Sequence, residues 1–202
     1  MKNFINISLV ILILSGCSKG KLEPAAYRDW VNNPANGLAI ERTVGDFTVT
    51  ASYRPHEFVV LNEWNPDEEQ SDRSFAERMK ELEGYQYINL RLDSKDKKTE
   101  VLKTALQSQQ QYYERLQYLT TLIPRDVYLV DGGDTLPCTL HHYERTYKMT
   151  SFSDISLVFE NKSKQTNDKI LVFDDRLFGL GTLKFHFEKN NLNGVPQLST
   201  YP

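Results

Sequence analysis

Cysteine is almost missing from this chain: 202 residues carry only two. A small scaffold stapled by several disulfides is thereby excluded. Charge of a single sign is missing too. The 24 basic and 27 acidic residues leave a net charge of −3, so the basic footprint of a nucleic-acid binder is absent. No apolar run is long enough to cross a bilayer. The longest extends from Phe4 to Leu14, interrupted by Asn6 and Ser8. As a helix it reaches ~16 Å at ~1.5 Å per residue, against a hydrocarbon core about 30 Å thick. Catalytic and metal motifs are missing as well. There is no CxxC, HExxH or acidic calcium loop, no GxSxG elbow, and no internal repeat.

What is present begins at the N-terminus. One basic residue, Lys2, precedes the apolar run, and small residues Ser15 and Gly16 follow it. This is the layout of a cleaved signal peptide, expected over residues 1–16. Leu14-Ser15-Gly16-Cys17 resembles the bacterial lipobox. The resemblance implies cleavage before Cys17, a diacylglyceryl thioether on its sulfur and a further acyl chain on its new amino group. Two or more acyl chains attach a protein lastingly to a membrane. Ser18 rather than Asp follows the cysteine, and by resemblance to Gram-negative lipoproteins this implies the outer membrane, on either of its sides. With Cys17 lipidated, Cys138 has no intrachain partner and is expected as a small buried strand residue.

The rest divides into a tether, residues 17–33, with a short helical turn around Tyr27–Val31, and one globular domain, residues 34–202, a usual domain size. Hydrophobic content of 40%, with eleven Tyr, ten Phe and two Trp, suffices for one core. Phe47, Val49, Ala51 and Tyr53 alternate with polar residues, which predicts a strand. Residues 56–61 read as a second strand after Pro55. Further strands are expected at 85–93, 127–130, 138–143, 155–160, 169–173 and 182–188. The periodicity predicts two helices, at about 74–83, where Ser74 and Glu77 have capping-box spacing, and at 99–122, ended by Pro124. Seven or more short strands with polar turns predict a β-rich α+β fold, an immunoglobulin-like β-sandwich with those two helices inserted.

The chemistry-bearing residues do not converge in the sequence. His141 and His142 are adjacent in a strand and point to opposite faces, so they do not chelate one ion. Asp131 and Asp134 flank Gly132-Gly133 and read as a solvated hairpin turn rather than a calcium loop. Cys138 and His142 share a strand face, with no orienting third group. Asp174-Asp175, Glu68-Glu69 and Glu63 are available for acid–base hydrolysis of sugars, with Arg176 expected to offset the first pair. Trp30, Trp64 and the tyrosines could form a sugar platform but read first as core. No catalytic, metal or cofactor residue is assigned; Cys17 is the one modification site.

Two stretches carry a further likeness. Residues 32–38 with Val44-Gly45-Asp46-Phe47 and Tyr53-Arg54-Pro55, and the segments 131–138, Tyr143-Glu144-Arg145 and 178–185, resemble a group of Bacteroidota-type outer-membrane lipoproteins. A weaker architectural resemblance is to immunoglobulin-like domains of bacterial lipoproteins. The resemblance carries no activity; the lipobox-like motif, a β-rich domain and the lack of a catalytic constellation lead to the expectation of a lipid-anchored envelope protein acting as a non-enzymatic binding or structural module. Its expected partners are the membrane, through Cys17, and another envelope protein, with no nucleic acid. The alternative is a lipid-anchored hydrolase of glycan or peptide using loop carboxylates. Convergent carboxylates of unlike environment would favour the hydrolase.

Overall fold

Period-two alternation builds the body of the molecule. A computed structural model describes residues 20–63, 75–145, 149–163 and 165–199. The expected signal segment, Cys17, Trp64, Ser74, Glu68 and Glu69 lie outside these residues. Eight strands form one antiparallel sheet: β2 (Ala39–Val44), β3 (Phe47–Arg54), β4 (Tyr85–Ser94), β5 (Val127–Asp131), β6 (Asp134–Glu144), β7 (Ser153–Glu160), β8 (Lys169–Asp174) and β9 (Thr182–Phe187). Their spatial order is β2-β3-β4-β7-β6-β5-β8-β9, and β9 comes back alongside β2, so the sheet is nearly a barrel. A β-rich α+β fold is what the strand pattern predicts.

The immunoglobulin-like sandwich is not how the strands are arranged. Pairing runs unbroken across all eight because β6 is eleven residues long and serves both halves. Residues 134–137 pair with β5, and the strand from Cys138 onward pairs with β7. The inward residues then meet in one core, with Leu90, Leu157, Phe159, Phe173, Phe185 and Phe187 fully buried. Each such side chain stabilises the fold by about 1.5–3 kcal/mol through burial.

Four expectations are corrected by the helices. There are five α-helices among the described residues, not two: α1 (Pro24–Asn32), α2 (His56–Glu63), α3 (Phe75–Leu82), α4 (Gln109–Gln117) and α5 (Lys189–Asn193). The helix expected at 74–83 is α3. The segment expected as a tether is folded from Lys21 on, since α1 buries Tyr27 and Val31 completely against the barrel. The short helical turn expected around Tyr27–Val31 is part of this longer helix. Residues 56–61 are helix, not strand. Pro55 opens the turn, its carbonyl accepting from the Val59 amide at 3.1 Å, and Phe58, Val60 and Leu61 are buried. Short apolar runs do not distinguish strand from helix.

The single helix expected at 99–122 is broken into pieces. Val101–Lys103 is a 3-10 turn, Thr104 is extended, and Ala105 has φ +50°. Helix restarts at Gln109, capped by Ser108, whose hydroxyl accepts from the Gln111 amide at 3.2 Å. It ends in a π-helical turn, Tyr118–Leu122, and a 3-10 turn, Ile123–Arg125, with Pro124 in its first turn.

Strand direction gives the barrel two ends. At the terminal end lie Arg54, Tyr85, Glu160, Lys169 and Phe187. There β1 (Lys21–Leu22) pairs in parallel with β10 (Gln197–Leu198). Gln197 donates its amide to the Gly20 carbonyl at 3.2 Å, and Ser199 to that of Leu22 at 2.9 Å. Gly37, at φ +72°, lies so close to Asn191 that any Cβ would overlap its side chain, which seats the turn after α1 on α5. At the opposite end lie the Gly45–Asp46 turn, Ser94, Val127, Asp174 and α4.

Candidate functional site

The opposite end carries three concavities and, among the described residues, both non-glycine residues at positive φ. Asp96 organises the loop after β4. Its carboxylate accepts from the Lys98 and Thr99 amides at 2.9 Å each, and from the Ser94 and Thr99 hydroxyls at 2.7 Å each. These bonds, the Thr99 amide foremost, hold the Asp96 carboxyl well below the usual carboxylate range. Lys97, inside this turn, has φ +56° and reaches Asp93 at 2.9 Å.

Arg115 projects from α4 into the barrel mouth and is 2% exposed. Its Nη1 donates to the carbonyls of Thr104 at 2.7 Å and Leu102 at 3.2 Å. Its guanidinium lies 4.9 Å from the Phe178 ring centroid and 5.5 Å from that of Phe47. Those two rings meet edge to face at 5.7 Å. Arg115 Nε is buried without a hydrogen-bond partner. Burial lowers the Arg115 pKa, and the charge of Asp175 opposes that shift. The cation is held by carbonyl dipoles and ring faces, with no carboxylate in contact.

Three cavities open around this plug. One of about 340 Å³ lies between Asp46, Asp96, Thr99 and Thr104. A second of about 350 Å³ is lined by Lys103, Leu106, Gln109, Tyr112 and Tyr113. Tyr113 is 54% exposed and packs edge to face on Tyr112 at 5.6 Å. A third of about 330 Å³ includes Tyr118, Leu122, Asp126 and Arg176. Tyr118 donates its hydroxyl to Asp126 at 2.9 Å, and Arg176 pairs with Asp126 at 3.0 Å. The chemistry on offer is aromatic faces, amides and hydroxyls around carboxylates already committed to the fold.

The residues singled out in the sequence are dispersed. Asp131 is not in a solvated turn; it is 3% exposed at the terminal end. Lys169, 4% exposed, donates to its Oδ2 at 2.7 Å, Gln86 to the same oxygen at 2.9 Å, and Asn167 to Oδ1 at 3.3 Å. Asp134 is exposed across the turn. Asp175 accepts from the amides of Leu177, Phe178 and Leu180, while Asp174 accepts from the Thr182 hydroxyl at 2.7 Å. Arg176 pairs with Asp126 and not with these two acids. Glu63 is engaged by Arg78 through two bonds of 2.7 and 3.0 Å, tying α2 to α3. Trp30 packs against the core.

The histidines are equally separate. His56 bonds the Tyr85 carbonyl at 2.8 Å, His141 the Thr120 carbonyl at 3.0 Å, and His186 lies 3.6 Å from Asp168. His142 is exposed. Cys138 and His142, expected on one face, are on opposite faces. A bulge between Cys138 and Leu140 shifts the register by one residue, and such a shift reverses every later side chain. Thus Cys138 and Tyr143 both pack on the core although an odd number apart. Burial pushes the Cys138 thiol up, which weakens it as a nucleophile.

Arg115 and Lys169 were missed, though both left a signal. Arg115, Tyr118, Leu119 and Leu122 have helical spacing, and Lys169 shares strand parity with Leu171 and Phe173. Among the described residues no three His, Cys, Asp or Glu side chains cluster to hold a metal ion. No protein-family model, curated protein or solved structure matches this chain.

Proposed function

We propose that this chain is a lipid-anchored envelope protein, sorted to the outer membrane, that acts as a non-enzymatic binding or structural module. The observation that carries the reading is Leu14-Ser15-Gly16-Cys17, a lipobox-like end to a short apolar run. The acids of the domain support the non-enzymatic part. Asp96, Asp131 and Asp175 are each occupied by several donors that hold loops or strands, and general acid–base work needs groups converging on one substrate. The opposite end, with Tyr113 and its neighbouring glutamines exposed beside a cavity, is the binding face in this reading.

Metabolic labelling with a fatty-acid probe tests the anchor. The wild-type chain takes up label, and Cys17→Ser accumulates as an unlabelled precursor; equal labelling of the two defeats the reading. Incubation of the purified chain with envelope glycans and peptides tests the second part. No turnover is expected, and turnover abolished by Asp134→Asn or Asp174→Asn would establish the hydrolase instead.

A further inference from the structure

We propose that the terminal end of the barrel rests on the lipid headgroups, while the opposite end and its three cavities are held away from the bilayer. This rests on the reading that Cys17 is acylated and adds an orientation to it. The argument is one of length. Lys21 is already hydrogen-bonded sheet, paired with Gln197, so four Cα–Cα steps separate it from the anchored residue. Four residues span at most about 14 Å when fully extended. The described fold, about 165 residues, has a radius of gyration of about 15 Å and a radius of about 20 Å. Turning the opposite end to the bilayer would lift Lys21 about 40 Å from it, nearly three times the reach of the leash.

The same bound limits tilt. Lying on its side, the barrel keeps Lys21 within reach only when the β1–β10 pair is turned toward the bilayer. The leash end is also well fastened. Ser199 donates its hydroxyl to Glu23 at 2.6 Å and its amide to Leu22, and Tyr27 and Val31 lock the following helix into the core. Peeling off β1 as far as Glu23 would break its bonds to β10 and uncover half-buried Leu22, and would still give a leash of at most about 22 Å, about half of what the reversed orientation needs.

The surface so placed suits headgroups rather than acyl chains. Lys21 and Arg28 stand beside Glu23 and Asp29, a mixture of both signs, and of the large apolar side chains exposed among the described residues only Tyr85, whose ring carries a polar hydroxyl, lies at this end. The contact is a resting face on zwitterionic and anionic headgroups, not an inserted one.

A photoreactive benzophenone amino acid placed at Asp29 or at Tyr113 in the full chain reads the orientation in cells whose phospholipids carry an alkyne tag. Both positions are exposed, so folding is preserved. Lipid adducts are expected at position 29 at least fivefold over position 113. Inserting twelve Gly/Ser residues after Ser18 should bring that ratio toward one while the chain still floats with membranes. An acylated, membrane-bound chain with equal adducts at both positions overturns the orientation alone. A chain without acyl mass that fails to float overturns the anchor and the orientation together.

Discussion

Among the described residues each end of the barrel buries one cation, and the two are held by different means. At the terminal end Lys169 meets a carboxylate, Asp131, which Gln86 and Asn167 also satisfy. At the opposite end Arg115 meets carbonyls and aromatic rings and keeps one N–H unpartnered. A compact ammonium needs a charge partner to leave water, whereas a planar guanidinium spreads its charge and tolerates dipoles and ring faces. The backbone differs in the same sense. The terminal end is pinned by α1, α5 and the β1–β10 pair, while the opposite end holds two non-glycine residues at positive φ, Lys97 and Ala105. The first end is built to be fixed; the second is built of short turns that keep surface concave.

The largest expected effect is at the ion pair. Lys169→Met leaves Asp131 buried and unpaired and should destabilise the fold by about 3–5 kcal/mol. Adding Asp131→Asn should return a large part of that loss. Urea denaturation of the single and double variants measures both, and a loss below about 1 kcal/mol would remove the contrast between the ends.

A smaller effect is expected from Arg115→Met, about 1–2 kcal/mol, because lost hydrogen bonds from a charged donor are partly offset by relief of desolvation. Its signature is local. Amide exchange should quicken across residues 101–105 and not in β8. Uniform quickening in both regions would make Arg115 a general core residue and not a local clasp.

Asp96 adds a pH dependence confined to the opposite end. Its folded pKa is depressed below the ordinary value of 3.8, so its contribution is present in full above that value. It is lost as pH falls through the folded value. The melting-temperature gap between wild type and Asp96→Ala should therefore be widest near neutrality and narrow as pH drops below 3.8. A gap that widens on acidification would reverse the assignment. The smallest effect is a gain. Ala105→Gly relieves φ +50° and should stabilise by about 0.5–1 kcal/mol; a loss would show that the Ala105 methyl packs usefully.

Much of the sheet was readable residue by residue. The inward sets Val49–Ala51, Ile88–Leu90–Leu92 and Leu183–Phe185–Phe187 are buried as their alternation predicts, since a strand's two faces differ in polarity by construction. The helices were less readable. The apolar content of 56–61 fits either period, and nothing local announces the break at Ala105. The candidate site was the least readable. Its cavities lie between segments far apart in the chain, and its buried arginine was passed over because a charged residue on an apolar stripe is taken for solvent-facing. Parity misled once, at Cys138 and His142, where one extra residue reversed the faces.

The sequence by itself determined the period of most strands of the large sheet and the Leu14-Ser15-Gly16-Cys17 motif, because both are written in neighbouring residues. Only the tertiary structure decided that the strands close into a near-barrel, that Asp131 and Lys169 leave water together, and that the first strand lies four residues from Cys17. Those depend on which distant segments pair, and that choice is made by the burial of the whole core at once rather than by any local pattern.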